Sequence, residues 1–579
     1  ANKYRGYDYG TAEPNSKLFK YADLRFGGEY THSDDRNTSY NIQNKLLWSK
    51  TFKEDHRLNA MVAFEVRSTS THRLANTVWG YTPDRGDGLS MPTTQADLAE
   101  NGLRFMDEWG ILTPLYNGGA WQKRKNTENF VSYMATLAYS LKGRYVFNAN
   151  MRSDASNRFG EYSNHRFNPT YSFGFSWQME QEPFIQSLGD WLETASLRVT
   201  YGIQGNVVTS VSPEMIAEKG DIRKPYEQYY SKIIKLPNEN LDWESTKSWN
   251  IGFDFSMFKG ITVSVDYYRK KTNAMVAQRL TSEYGVESME NTGGELLNSG
   301  IEYSINVTPF RGKDFAWTIG LNSGKNWNEG KNAEISIPQL SDYYNGRTDA
   351  VLKDGYDVSS FWSYSYAGLD PEYGFPTFNL LDVELPLYGD PTQFMVYSGK
   401  SEPDFNGGLT TSLRYKNFSL GASFAFQIGS HKRLKSPFEE INFRLPSGYD
   451  NASKDLLKRW QKPGDEKYTD IPAFDNNQIP EGKRPSGELP GQWYESLYRM
   501  WDMSDLRVVD ASFFRCNNLS LSWQANSKVL SRLRLKNLSV NLSVSNIFVI
   551  ASDKFQGFDP ELGNSVNPQT YSFGINVGF

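Results

Sequence analysis

The sequence predicts an all-β fold, a large antiparallel transmembrane β-barrel of about 16–18 strands. Three observations predict it. Apolar residues recur at every second position in long runs, aromatic residues make up 15% of the chain, and the connections between runs are either very short or very long.

The alternation is clearest from Tyr571, where Tyr571, Phe573, Ile575, Val577 and Phe579 share one face and Ser572, Gly574, Asn576 and Gly578 the other. Phe418, Leu420, Ala422, Phe424, Phe426 and Ile428 repeat the pattern, as do Ile261 to Tyr267, Ile301 to Val307 and Tyr171 to Trp177. Successive side chains of a strand point to opposite faces, so each run has an apolar and a polar face. Many runs last about 10 residues, enough to cross a bilayer at a tilt, against about 5–6 for soluble strands. Their polar faces are mostly Gly, Ser, Thr and Asn, where a water-exposed sheet would carry Lys and Glu.

The aromatic load, 35 Tyr, 35 Phe and 15 Trp, suits the girdles a membrane barrel carries at both interfaces. A mean hydropathy of -0.61 excludes a helical membrane bundle. The longest clearly apolar run, Ile547 to Ala551, is far shorter than the roughly 20 residues a spanning helix needs. A net charge of -5 gives no reason to expect nucleic acid. The single cysteine, Cys516, rules out an internal disulfide. Ala1 to Gly10 lack the charged and apolar regions of a signal peptide, so the chain is expected to be a mature form or to lack an N-terminal part.

Tight links follow the strands that end near Leu141, Met257, Phe310 and Tyr415: Lys142-Gly143, Lys259-Gly260, Arg311-Gly312-Lys313 and Lys416-Asn417. The other ends carry long segments, about Ser70 to Thr127, Asn206 to Asn240, Thr272 to Glu295, His431 to Ser504 and Ala551 to Pro568. Short turns on one side and long loops on the other match the periplasmic and extracellular ends of outer-membrane barrels. Asn326 to Pro403 is the stretch whose strands are least defined. The terminal Phe579 resembles the aromatic signal read by outer-membrane assembly machinery.

Several stretches resemble the SusC/RagA-like branch of TonB-dependent transporters. They include LRVTYGIQGN from Leu197, the run from Asn240 to Val276, the run from Ser504 to Trp523, Ser543 to Gly563, and the closing PQTYSFGINVGF. SDASNRFGE from Ser153 and RWQKPGDEKYTDIPAF from Arg459 fit as well. The resemblance implies a barrel of about 22 strands closed by an N-terminal plug. It also implies a SusD-like surface lipoprotein over the extracellular mouth and uptake energised through TonB. No plug is recognised before the first strand near Leu18, and no TonB-contacting segment is found. Residues 1–579 are therefore expected to be the C-terminal barrel portion, with the plug and first strands in another polypeptide or part of the gene product.

Recognition rather than catalysis is expected. His32, His56, His72, His165 and His431 have no metal-ligand spacing, and there is no phosphate loop or nucleophile elbow, so neither catalytic residues nor a metal or cofactor are expected. The candidate contact residues for ligand or lipoprotein are loop aromatics: Trp79, Tyr81, Trp109, Tyr116, Trp121, Tyr343, Tyr344, Trp493, Tyr494, Tyr498 and Trp501. Ring faces with polar rims suit sugars and protein caps, and they also serve simple loop packing. Oligosaccharide is the first expected cargo and oligopeptide the alternative, with a passive porin or a surface anchor as readings from other classes. Lys432, Arg433, Lys435, Lys454, Lys458, Arg459 and Lys462 are interspersed with acids, so no one-sided field selects an anionic cargo.

Overall fold

The computed structural model describes residues 28–83, 86, 88–89, 121–157, 168–187, 189, 191–206, 214–223, 228–238, 240–273, 276–280, 287–291, 293–331, 353–379, 395–438, 453–474, 493–563 and 567–579. The chain divides into a smaller unit (1–46, 61–135, 152–158) and a larger one (47–60, 136–151, 159–579).

Fifteen strands form the path of the main sheet among the described residues: β1 (Gly28–Phe52), β2 (His56–Thr82), β3 (Trp121–Leu141), β4 (Tyr145–Ser156), β5 (Asn168–Gln178), β6 (Leu192–Asn206), β7 (Glu244–Met257), β8 (Ile261–Asn273), β9 (Glu295–Arg311), β10 (Phe315–Lys331), β11 (Phe405–Tyr415), β12 (Phe418–Ile428), β13 (Phe513–Gln524), β14 (Asn537–Ala551) and β15 (Thr570–Gly578). A two-residue strand, Gly88–Leu89, pairs with β2 and brings the sheet to 16. Strand order is chain order throughout, the simplest antiparallel topology.

The smaller unit holds the distal parts of β1 to β4. β1 and β2 run for 25 and 27 residues, far past the 9–11 or so that cross a bilayer. Here Gln43 donates to Glu65 at 2.9 Å, and Arg152 bridges Asp154 at 2.7 Å while donating to the buried Ser132 at 3.0 Å. The segment from Ser70, expected as loop, is strand up to Thr82 and again at Gly88–Leu89, and β3 opens at Trp121. Polar residues lie on both faces of this stretch (HRLANT), so the period-2 signal fades where neither face needs to be apolar. The expected first strand near Leu18 lies outside the described residues.

In the larger unit the registers align polar and apolar rows across the strands. One row runs Phe255, Val263, Ile305, Leu321, Leu409 and Phe424, and another, three residues along the strands, Arg198, Gly252, Asp266, Glu302, Gly324, Asn406 and Gln427. The apolar face is uncovered: Tyr571 is 73% exposed, Phe573 65% and Trp249 51%. A contiguous apolar surface over this many strands far exceeds what a water-soluble monomer leaves open. Among the described residues no helix is long and apolar enough to cross a membrane.

The expected tight links are present, and their geometry explains them. Lys142 and Gly143 have φ of 53° and 69° and Phe258 and Lys259 both 55°, and a turn the sequence did not single out, Lys53-Glu54, has 50° and 61°. Two successive left-handed residues match the twist of the strands they join. The ill-defined stretch between β10 and β11 contains no main-sheet strand among its described residues. Instead Ser360–Ser363 pairs with Val396–Lys400, and Tyr366–Leu369 with Pro376–Phe378. The connections after β6 and β8 carry a separate four-stranded sheet, Ile216–Arg223, Gln228–Lys235, Val276–Leu280 and Glu287–Asn291.

Candidate functional site

The polar face of the larger unit carries an ordered charge network. Arg198 on β6 reaches over Gly252 to bridge Asp254 on β7 at 2.8 Å and Asp266 on β8 at 3.4 Å. Ser264 donates to Asp254 at 2.6 Å and Ser196 at 3.3 Å. Gly252 makes the crossing possible, because a Cβ there would lie 2.5 Å from an Asp266 oxygen and 2.8 Å from an Arg198 nitrogen. Gly300 does the same for Tyr268, whose hydroxyl would lie 2.5 Å from an added Cβ. The small residues of the polar face therefore make room for long polar side chains lying flat across neighbouring strands.

Beside this network is a recess of about 560 Å³, with Asp266, Glu302, Asn322, Asn406, Gln427 and Arg515 in its lining. Arg515 on β13 is bonded to Asp559 at 2.5 Å, Glu561 at 2.7 Å and Asn517 at 2.8 Å. Gln427 donates to Glu561 at 3.2 Å, and Lys432 to the carbonyl of Pro560 at 2.6 Å. These bonds fold the connection after β14 down onto the recess. Donors and acceptors converge there. Among the described residues no group of three or more His, Cys, Asp or Glu could hold a metal ion.

The long connections between β10 and β11 and between β12 and β13 fold together into a cap with its own core. Trp362, Tyr364, Phe375, Met395, Leu497 and Met500 form one cluster, and Phe438, Leu456, Tyr498 and Trp501 another, with Phe378 packed against both. Arg433 threads between them, donating to the Trp362 carbonyl at 2.8 Å and Ser363 at 2.9 Å. The helix Trp493–Asp502 brings Leu497, Tyr498, Met500 and Trp501 into this core. Gly374, at φ 70°, sits on the ring of Trp460, which any added Cβ would strike. Burial raises the Asp502 carboxyl to about 6, opposed by a Ser436 hydrogen bond and the Arg507 charge, and one of its oxygens is buried without a hydrogen-bond partner. Arg507, itself lowered by burial, lays its guanidinium over the Trp501 ring at 4.6 Å.

The candidate aromatics divide accordingly. Tyr498 and Trp501 are 2% and 1% exposed, and Trp501 donates its indole N–H to the Asp470 carbonyl at 2.9 Å. As placed, these two rings pack the cap and present no face to an external partner. Tyr81 is half-buried on β2 with its ring 4.8 Å from Tyr30. Trp79 lies on β2 and Trp121 opens β3, so both belong to strands rather than a loop, and Trp493 and Tyr494 begin the cap helix. The side chains of these four, and the whole of Trp109, Tyr116, Tyr343 and Tyr344, lie outside the described residues. Phe579 follows β15 and is 84% exposed. Sequence reasoning missed Tyr468 and Leu457, which stand 89% and 76% exposed on the cap. Tyr468 is a lone aromatic in a charged run, DEKYTD, and that isolation was the available signal.

Comparison with known proteins agrees with this architecture. The family model described as TonB dependent receptor-like, beta-barrel matches residues 1–547. TonB-dependent receptor P3 of Formosa agariphila is 26% identical across 100% of this chain and 58% of its own length. TonB-dependent receptor SusC of Bacteroides thetaiotaomicron is 29% identical across 78% of this chain and 44% of its own length. The chain thus spans about half the length of the curated relatives it matches. In fold it is similar to a solved structure of the RagAB peptide transporter, with a TM-score of 0.72 and 22% identity over 95% of this chain and 56% of that one. With the family model covering most of its length and the strand pattern to match, the chain belongs to the TonB-dependent receptor-like β-barrel family, in its SusC/RagA-like branch.

Proposed function

We propose that this chain is the C-terminal barrel portion of a TonB-dependent outer-membrane importer of nutrient oligomers. The plug and first strands belong to the remainder of the protein or a partner polypeptide, and a SusD-like surface lipoprotein covers the loop end. The observation that carries this reading is the asymmetry of the sheet. Its apolar face is uncovered, as a lipid-facing surface is, while the opposite face is polar, built of small residues and ordered charge pairs. Family membership supports the inward direction of transport and its coupling to TonB. The strands cross the outer membrane, with the short turns in the periplasm and the cap outside. Exposed Tyr468 and Leu457 are apolar contacts for the lipoprotein, and Trp79, Tyr81, Trp109, Tyr116, Trp121, Tyr343, Tyr344, Trp493 and Tyr494 remain assigned to cargo or lipoprotein contact. Phe579 is the assembly signal.

Oligosaccharide is the cargo we favour. The neutral amides and hydroxyls of the recess, Asn322, Asn406, Gln427 and Ser304, suit sugar hydroxyls. Oligopeptide is the second reading, favoured by the mixed charges of Asp266, Glu302 and Arg515 and by the peptide transport named for RagAB.

The test is purification from outer membranes through a C-terminal tag, with co-purifying chains identified by mass spectrometry. A plug-bearing segment and a lipoprotein are expected. This chain alone, folded and without a plug, would overturn the active-transport reading. The intact complex is then offered pools of oligosaccharides and oligopeptides, and the class retained decides the cargo.

A further inference from the structure

The apolar face of β7 and β8 does not stay apolar to its end. Along β8 the residues of that face are Val263, Val265 and Tyr267, then Arg269 and Lys271; along β7 they are Phe255, Phe253, Ile251 and Trp249, then Lys247. The register between the two strands is unbroken, so the cations stand on the same side as the exposed apolar residues below them. Lys247 is paired directly with Lys271, and Arg269 with Trp249. Like charges opposite one another on one face of a sheet repel, so the arrangement favours an anion between them.

The neighbouring strands do not supply enough of them. On this face the partners of the three cations are Tyr201 and Ile203, by way of β7, on β6 and Leu297 and Ser299 on β9, all uncharged. Glu295 is bound to Lys271 at 2.6 Å, and Glu329, opposite Leu297, to Lys331 at 3.4 Å. Lys325, farther along, faces Asp404 at 4.0 Å. Glu244 lies on the polar face, where it accepts from Asn206 at 3.0 Å. Lys247 and Arg269 are exposed and make neither an ion pair nor a hydrogen bond among the described residues, which leaves two uncompensated positive charges on adjacent strands.

Their height follows from the strands. Lys271 is ten residues past Ile261 and Lys247 ten before Met257, where β8 and β7 meet their short turn. Ten residues span about 33 Å of strand, or about 25 Å across a bilayer at the tilt of a barrel, which is the height of the apolar band itself. Trp249, opposite Arg269, and Trp327, in the same row through Ser299, are 51% and 44% exposed and mark that edge as interfacial tryptophans do. The free cations therefore stand at the end of the band away from the short turns.

We infer that Lys247 and Arg269, with Lys271 beside them, hold a phosphate group of one outer-leaflet lipid. The inference rests on the strands crossing the outer membrane with their short turns in the periplasm. The Arg269 guanidinium offers paired N–H donors to phosphate oxygens, and each lysine ammonium a point charge. A lipid is the source because its acyl chains would run over Trp249, Ile251 and Tyr267, which lie exposed on the same face directly below. Soluble phosphate would gain nothing from those side chains.

Native mass spectrometry of the tagged complex, purified from outer membranes in mild detergent, tests this by titration with monophosphorylated lipid A and with the same lipid freed of its phosphate. One phosphorylated lipid per chain is expected, bound on the order of 25-fold more tightly than the other, about fivefold for each free cation. Lys247→Gln combined with Arg269→Gln should erase that preference, and Arg269→Lys should keep most of it. Lys416→Gln, at a short turn, should leave it unchanged. Removing a cation from a like-charged pair relieves repulsion, so these variants are expected to assemble. Recovery in the outer-membrane fraction and heat-modifiable gel migration report the barrel separately, so a failure of the membrane reading is distinguishable from a failure of the lipid site. A preference that survives the double variant overturns the site. Displacement of the lipid by equimolar inorganic phosphate overturns the lipid as source. Loss of a co-purifying protein from the double variant, with lipid binding unchanged, overturns the proposal in favour of a protein contact.

Discussion

The sheet and the cap use the same aromatic residues in opposite ways. On β15, Tyr571 and Phe573 are mostly exposed, whereas in the cap Trp362, Tyr364 and Trp501 are almost wholly buried. Within the cap the rings cover one another, as in any water-soluble core. On the sheet they stand open, and the proposed function assigns them to lipid contact. The difference teaches that aromatic content alone does not locate a membrane surface. Periodicity does, because lipid contact requires every second residue to be apolar and a folded loop does not.

The sharpest way to break the comparison is Trp501→Ala. Truncating a large buried aromatic costs about 3–5 kcal/mol. It should therefore unfold the cap, read as lost hydrogen-exchange protection across residues 493–502, while the sheet keeps its heat-modifiable migration. A cap that stays protected would show that its core is not what holds it. Next in size, Phe573→Arg should destabilise the sheet in lipid by about 2–4 kcal/mol if the ring lies near the bilayer centre. Ser572→Arg, one residue away on the polar face, should be near neutral in the same unfolding measurement in vesicles. Equal effects from the two would remove the distinction between the faces.

The cap also has a pH response that the sheet network is not built to give. The carboxyl of Asp502, raised by burial to about 6 from an ordinary 3.8, favours the folded cap most strongly below the unfolded value. That advantage is lost as pH rises through about 6. Exchange protection of the cap helix should therefore fall between pH 4 and 7, and Asp502→Asn should flatten that part of the profile. An unchanged profile would assign the response to another group. The smallest expected effect is at the turn after β7. Lys259 holds a left-handed φ of 55°, and Lys259→Gly should relieve about 1 kcal/mol of backbone strain, seen as a modest rise in the denaturant midpoint.

What was legible in the sequence follows from how local each signal is. The alternation at Phe418 to Ile428 and Tyr571 to Val577, and the Lys142-Gly143 turn, are fixed by neighbours a few residues apart, and all three are present in the structure. The cap core was not legible, because Phe438, Leu456 and Trp501 meet only after long separations and share no period. For Tyr498 and Trp501 contact and loop packing both stayed open, because nothing nearby in sequence predicts what covers them. The charge network was hidden differently: Arg198, Asp254 and Asp266 come together only through the registers of three strands, and Gly252 between them reads as an ordinary glycine until its space is seen to be used.

The sequential strand order has a consequence for how such a molecule can change. Among the described residues the strands of the path pair with their neighbours in chain order, so an insertion at a connection need not alter any register elsewhere. The cap uses that freedom: the connections after Lys331 and after Ile428 pack into a folded body while β10, β11, β12 and β13 stay paired in order. A connection on this plan can therefore lengthen or fold anew while the wall keeps its pairings.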